Sequence, residues 1–559
     1  MKKIAITLFA VLIINATHGS PMEKNKEQNP LLAKFTTPHH TAPFDKIKTE
    51  HYLPAFTQLI NEEEAAIDQI ASNPKNPTFD NTIVALELAG EKLSTVSGIF
   101  FNLTTAETNS KMQEVAQQVS PLLTKHASKI TLNTKLFARI KAIYDQMGSL
   151  NLTTEQKRLV DNYYKEFIRS GANLNEVQKK RYVEIKTELS KLTLNFGDNV
   201  LAETNKFTLH LTNESDLTGL PQYVRDAASL EAKKRKLEGW VFTLQIPSYL
   251  PFMQFSEKRD LREKMYRAYT SKGNQNNSSD NKENIRKIVN LRLELANLMG
   301  FKSYAQYVLQ ERMAETPERV NHFLLDLHNA SHPFAEKEFK EISSFAAKSG
   351  ADFDLQRWDW TYYSDKLKQE KYGFSDEIIK PYFELGRVIN GVFGLATKLY
   401  GISFKEVNNI PKYHPEVKTY EVADEKGKFL AVLYLDFFPR AGKKGGAWMT
   451  EYLGQSNING QEIRPHISLV TNFTKPTETT PSLLTFDEVT TFLHEFGHAL
   501  HGMLSRCTYP SLSGTNVYRD FVELPSQFME NFAVQKEWLD QFAVHYQTGE
   551  KMPEELIKK

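Results

Sequence analysis

Cysteine is almost missing: the 559 residues hold one, Cys507. A single thiol excludes an internal disulfide, so packing alone must hold the fold, and a chain of this length can bury a large core. No second thiol or ligand-like spacing accompanies Cys507, which therefore reads as a small packed residue. An excess of one charge is missing too. The 69 Lys and Arg face 68 Asp and Glu, a formal net charge of +1. That balance gives no reason to expect nucleic acid or an anionic membrane as a partner. The run Lys233-Lys234-Arg235-Lys236 reads as a solvated helix face. Long apolar runs are missing after the first residues, so no later segment reads as a membrane span. Internal repeats are missing as well. What remains is ordinary for a soluble globular chain, at 40% hydrophobic and 25% charged residues, and the length suggests more than one domain.

The first residues differ from the rest. Lys2 and Lys3 precede an apolar run from Ile4 to Ile14, followed by small and polar residues to Ser20. This is the plan of a secretory signal peptide over residues 1–19, cut after Gly19 or alternatively after Ala16. The expected destination is outside the cytoplasm, periplasmic or secreted, with no membrane attachment after cleavage. Residues 20–44 read as a polar lead, disordered from Pro21 to Pro30.

From Asp45 to about Gly219 the pattern is helical. Ile83, Leu86, Gly90, Leu93 and Phe100 keep to one helix face, and Tyr182, Ile185, Leu189, Leu192 and Phe196 step by three and four as in a packed helix pair. Trp240–Phe252 reads as a short strand ending at Pro247 and Pro251, with a domain boundary just before it. Ile288, Leu291, Leu295 and Leu298 form another helical stripe, closed by Gly300 in a capping position. Between Tyr420 and Phe473 the period shortens to that of strands. TYEVADEKGKFLAVLYLDFF reads as a hairpin turning at Asp424–Gly427, with further strands at GGAW and HISLVTNF.

The most informative stretch is Thr485–His501, TFDEVTTFLHEFGHALH. Thr485 and Glu488 have the spacing of a capping box, and Phe486, Val489, Leu493 and Phe496 form an apolar stripe. His494, Glu495 and His498 make H-E-x-x-H. On a helix the two imidazoles lie one turn apart on one face, where they can share an ion, and Glu495 sits beside the position of a water on that ion. The alternative is a core helix with two incidental histidines. A third ligand from His is excluded, because His501 stands where a metzincin has Gly and no His follows at the required distance. Glu523, Glu530 and Glu537 are then the candidates, seven residues apart and on one face if helical. Pro525 is tolerated only near a helix start, which places Glu523 in or near a first turn. The residues alone do not choose among the three. Gly514, between the two segments, can supply the turn that brings them together.

HEFGHALH followed by SLSGTNVYRDFVELPSQFMENF resembles the thimet oligopeptidase family of zinc peptidases, most of all its peptidyl-dipeptidase branch. WDWTYY at Trp358–Tyr363, FPRAGKKGGAWM at Phe438–Met449, TNFTKP at Thr471–Pro476 and NPTFDNTIVALELAG at Asn76–Gly90 extend the likeness, which runs from about Asn29 to the last residue. The resemblance implies one zinc ion on His494, His498 and Glu523, the last lying 29 residues after His494 as in the family. It implies Glu495 as the base. Glu530, two turns beyond Glu523, is expected to orient one of the histidines through the ring nitrogen facing away from the metal, the alternative being an ordinary surface carboxylate. The implied fold is mainly α: a two-lobed zincin of the gluzincin type, with a small β-sheet beside the zinc helices and a deep channel. The N-terminal helical region would cover 45–239 and the peptidase domain 240–559. A sheet edge near Gly446 and Ala447, where small residues admit another backbone, would bind extended substrate, the alternative being a sheet that only supports the helix. The expected activity is hydrolysis of short peptides by a monomer, releasing C-terminal dipeptides, with endo-cleavage as the alternative. In the family, further Tyr and His donors come from a segment well downstream of the third ligand. Here the residues stop at Lys559 in what reads as mid-helix, so a catalytic domain incomplete at its C-terminus is expected, and a zinc-binding remnant with little turnover is the alternative from another class.

Overall fold

A five-stranded sheet lies between two sets of helices, and its strands explain why. In the computed structural model, which describes residues 29–559, the helices that frame the site are α1 (Thr49–Ala71), α2 (Glu91–Ala106), α3 (Ser110–Thr131), α4 (Glu176–Lys206), α5 (Lys282–Leu298), α6 (Pro317–Lys348), α7 (Arg357–Tyr372), α8 (Leu385–Tyr400), α9 (Phe486–Met503) and α10 (Arg519–Glu530). The sheet is built from β1 (Ser403–Glu406), β2 (Lys418–Ala423), β3 (Phe429–Asp436), β4 (Trp448–Leu453) and β5 (His466–Val470), in the order β1-β2-β3-β5-β4. Only the β3–β5 pair is parallel. The β2–β3 hairpin turns at Asp424–Lys428, with Gly427 at φ 79°, as the sequence predicts.

β3 is almost wholly buried, which is how a strand covered on both faces reads. Its alternate residues go to different cores. Ala431, Leu433 and Leu435 join Ile467 and Leu469 of β5 in a cluster with α8 and α9. Val432 and Tyr434 face the other way, into a cluster with α1, α2 and α3. The helix that carries H-E-x-x-H is thus laid on one face of a sheet whose other face is sealed by the N-terminal helices. Elsewhere, α4 and α5 pack through Tyr182, Ile185, Leu192, Leu291 and Leu295, and Gly300 caps α5 at φ 86°.

Several expectations need correction. Of Trp240–Phe252, only Trp240–Phe242 is strand, paired with Leu209–Leu211, and Ile246–Phe255 is a helix. Pro247 sits in its first turn, where a missing N–H costs nothing. The stripe from Ile83 to Phe100 is not one helix. A π turn over Phe79–Val84 and a break at Gly90 send Ile83 and Leu86 to one core and Leu93 and Phe100 to another. Phe196, expected in the helix pair, is 39% exposed. The stretch read as disordered, Pro21–Pro30, lies outside the described residues except for its last two positions; beyond it Leu31, Ala42 and Phe44 are buried with α1, and the His39 ring stacks on Phe429 at 3.9 Å. The signal-peptide residues lie outside the described residues. Among the described residues no helix is long and apolar enough to cross a membrane.

Candidate metal centre

α9 begins as its sequence dictates. The Thr485 hydroxyl accepts from the Glu488 N–H at 3.1 Å, and the Thr485 N–H donates to the Glu488 carboxylate at 2.8 Å, a complete capping box. Val489, Phe492, Leu493, Phe496 and Ala499 are fully buried against the sheet and α8. That packing fixes the rotation of the helix about its axis. His494 and His498 consequently face away from the core, only partly buried, with ring centroids 5.0 Å apart.

α10 supplies the carboxylate. Glu523 Oε2 lies 3.1 Å from His498 Nε2 and 3.3 Å from His494 Nε2. Among the described residues these three are the one group of His, Cys, Asp and Glu whose ligand atoms all fall within 4.8 Å of one another. The crossing depends on Gly497. A Cβ there would stand 2.5 Å from Ser526 Cα and 2.6 Å from the Pro525 carbonyl, so the two backbones touch where the helices cross. Ser526, fully buried at this point, donates its hydroxyl to the Glu523 carboxylate at 2.8 Å. Gly514 (φ 55°) turns the chain between the helices. Glu523 is the fifth residue of α10, next to its first turn as expected, whereas Pro525 is the seventh and lies inside the helix rather than near its start.

Glu530 meets the other nitrogen of His494, with Nδ1 2.6 Å from Oε1. An Nδ1–H donated to Glu530 leaves the Nε2 lone pair directed at the Glu523 side, the tautomer a metal ligand needs. Glu537 takes no part and lies beside an apolar groove with Leu395, Phe528 and Trp538. Glu495 is 5% exposed, and its Oε2 has no partner among the described residues. Burial pushes its carboxyl up to about 7, with His494 opposing and Glu523 adding to the shift. Burial also holds His498 below its ordinary value, against the pull of Glu523, so this imidazole is neutral near pH 7. Glu523 stays below the usual carboxylate range: burial raises it, but the Ser526 hydroxyl and both imidazoles outweigh that.

Two imidazole nitrogens and one ionised carboxylate oxygen, converging from two helices, form a donor set that fits zinc with a coordination position left over. The orphaned Glu495 oxygen beside it is where a proton acceptor is required.

Gly446 and Ala447 precede β4, the edge strand of the sheet. Gly446 is exposed at φ 99°, and its carbonyl accepts from Asn472 at 2.8 Å. The loop leading to them is anchored by a buried knot that the sequence reading missed. Asp436 accepts two hydrogen bonds from Arg440, at 2.9 and 2.7 Å, and one from Lys443 at 2.9 Å. Arg440 also bonds Glu107 and the Ala106 carbonyl at the end of α2. Burial pulls Lys443 down to about 8, against the attraction of Asp436. Gly497 and Ser526 were missed as well. A glycine inside an otherwise strong helix costs about 1 kcal/mol relative to Ala, and that cost is the signal that could have marked a crossing point. Cys507 is half-buried and donates its thiol to the Leu512 carbonyl, away from the site.

Comparison with known proteins places this geometry in the class of peptidases. The model of Peptidase family M3 matches residues 252–559, and that of the neurolysin and thimet oligopeptidase N-terminal domain matches residues 56–179. The dipeptidyl carboxypeptidase of Escherichia coli (strain K12) is 38% identical over 533 residues, covering 95% of this chain and 78% of the relative. Oligopeptidase A of the same organism is 38% identical over 538 residues with the same coverage. The organellar oligopeptidase A of Arabidopsis thaliana is 34% identical over 553 residues, covering 96% of this chain and 69% of the relative. The chain belongs to peptidase family M3, whose members are generally zinc metallopeptidases.

Proposed function

We propose that this protein hydrolyses short peptides with one zinc ion held by His494, His498 and Glu523, and that it releases dipeptides from C-termini. The observation that carries the reading is the convergence of both Nε2 atoms on Glu523 Oε2, at 3.1 and 3.3 Å, with the unpartnered Glu495 oxygen alongside. Zinc held there supplies Lewis acidity to the scissile carbonyl and lowers the pKa of water to about 7. Glu495 takes the proton of the attacking water on its free oxygen and returns it to the departing amine. Burial of this carboxyl strengthens it as a proton acceptor. Glu530 holds the His494 tautomer, and Ser526 holds the Glu523 carboxylate. Gly446 and Ala447, at the start of the edge strand, offer backbone groups to an extended peptide. In this reading two lobes flank a deep channel whose narrow access restricts substrates to short peptides. The enzyme acts as a monomer outside the cytoplasm after removal of residues 1–19.

Metal analysis together with turnover of a short fluorogenic peptide tests the chemistry. One zinc per chain is expected, with turnover falling about 10²–10⁴-fold in Glu495→Gln while zinc content is kept. Absence of zinc from the wild-type chain ends the proposal, and zinc with no wild-type turnover leaves a metal-binding remnant. The relatives named for dipeptide release and for oligopeptide cleavage are equally similar. Product mapping on a peptide with a blocked C-terminus separates them: cleavage of the blocked peptide favours an endo-acting oligopeptidase.

A further inference from the structure

α9 and α10 are joined by residues 504–518, a loop long enough to need holding from outside. α9 starts on a complete capping box, but α10 starts after Tyr518 with no side-chain cap. Glu523 stands about one turn further on, so the place where α10 begins decides where the third donor stands. The hold comes from the N-terminal helical region. Glu155, in the first turn of the helix Thr154–Arg169, accepts from the Thr508 N–H at 2.6 Å on one oxygen and from the Thr508 hydroxyl at 2.7 Å on the other. Tyr509 is buried among the N-terminal helices, its ring edge to face with Phe79 at 5.7 Å. Glu87, also buried, accepts from the Ser511 hydroxyl at 2.7 Å and from the Tyr163 hydroxyl at 2.6 Å. The start of α10 is held by the same helix. Arg158 lies 4.8 Å over the Tyr518 ring. The Tyr518 hydroxyl donates at 2.8 Å to Glu311, which pairs with Lys165 at 3.5 Å. One helix therefore reaches both ends of this stretch, at Thr508 and at Tyr518.

We propose that Glu155, Glu87 and Tyr518 are positioning residues for the third zinc ligand: the N-terminal helical region sets where α10 begins, and through it how closely Glu523 approaches His494 and His498. The inference rests on the reading of these three donors as a zinc site, and adds that α9 and α10 do not complete the site by themselves. The Gly497 crossing fixes α10 at Pro525 and Ser526, on one side of Glu523. The anchors on Thr508, Ser511 and Tyr518 fix it on the other. Between the two, Glu523 has little support of its own. Its side chain is 50% exposed, and the Ser526 hydroxyl that bonds its carboxylate belongs to the same helix and moves with it. Glu155 and Glu87 accept from main-chain N–H and hydroxyl groups of the loop, bonds whose strength falls steeply with angle, so they fix direction as well as distance.

The test reads metal affinity and backbone exchange rather than turnover. Glu155→Ala and Glu87→Ala should each weaken zinc about tenfold in chelator competition. Tyr518→Phe, which keeps the ring on Arg158, should weaken it in the same direction. Glu155→Gln keeps an acceptor for the Thr508 N–H and a group that can donate to the Thr508 hydroxyl, so it should bring the affinity back close to wild type. Lys157→Ala, exposed on the same helix, should change nothing. Amide exchange of the full chain over residues 519–523 should quicken in Glu155→Ala while α9 stays protected. A joint that only adds stability lowers the thermal midpoint of Glu155→Ala but leaves zinc affinity and exchange over 519–523 as in wild type, and that result overturns the proposal. Equal weakening in Glu155→Gln overturns it too, because it assigns the effect to charge instead of position. A wild-type chain that takes up no zinc ends the zinc reading and this inference with it, whereas zinc bound equally by wild type and variants ends this inference alone.

Discussion

His494 uses its two ring nitrogens differently. Nε2 faces Glu523 at 3.3 Å and Nδ1 faces Glu530 at 2.6 Å. A carboxylate on Nδ1 fixes the tautomer and raises the basicity of the opposite nitrogen, so its loss weakens a metal bound there by about 10–100-fold. Glu530→Gln is therefore expected to lower zinc affinity by that factor in chelator competition while leaving the fold intact. An unchanged affinity reduces Glu530 to a surface group. His498 has no such support: its Nδ1 is buried and without a partner among the described residues. The two imidazoles are chemically alike in the sequence and different in the structure.

Helix crossing decides whether the three donors meet. α9 and α10 touch backbone to backbone at Gly497, where a methyl group would collide with the Ser526 and Pro525 main chain rather than with a movable side chain. Gly497→Ala should therefore push α10 outward, costing about 1–3 kcal/mol of stability and withdrawing Glu523 from both rings. Parallel loss of thermal stability and zinc affinity is the expected result, and retention of both means the crossing relaxes. A second expectation concerns β4. Glu451 is largely buried, its Oε1 has no partner among the described residues, and it abuts the position a Cβ on Gly514 would take. Burial raises its carboxyl from 4.5 to about 7. A folded-state value above the unfolded one means that the stabilising protonated form is fully present below about pH 4.5 and is lost as pH rises through about 7. The loss is on the order of 3 kcal/mol. Denaturant midpoints should fall across that window and flatten in Glu451→Gln. An unchanged slope shows that Glu451 is ionised throughout.

Across the whole molecule, the N-terminal helices and the sheet are joined by charge as well as by apolar packing. Asp436 and Lys443 side chains are completely buried, and Arg440 links them to α2 through Glu107 and the Ala106 carbonyl. Removing one member of such a knot leaves a buried cation without its counter-charge, which costs about 3–5 kcal/mol. Asp436→Asn should lower global stability by that amount in equilibrium unfolding and loosen the loop that presents Gly446 and Ala447. A change under about 1 kcal/mol counters the claim that this knot ties the two parts together.

The chain itself determined what depends on neighbours in sequence. The Thr485–Glu488 cap, the i, i+4 pairing of His494 and His498, the β2–β3 hairpin and the Gly300 cap are short-range consequences of periodicity and backbone preference, and they stand in the structure as read. Glu523, Glu530 and Glu537 could not be separated that way, because helical spacing is the same for all three. Only the α9–α10 crossing distinguishes them, putting Glu523 between both rings, Glu530 behind one and Glu537 elsewhere. The same limit explains the misread strand at Trp240–Phe252 and the broken stripe from Ile83 to Phe100. An apolar pattern tells a segment to be buried but does not say against what, and the partner is chosen by tertiary contacts, from about 30 positions away for Trp240–Phe242 to several hundred for Ile83.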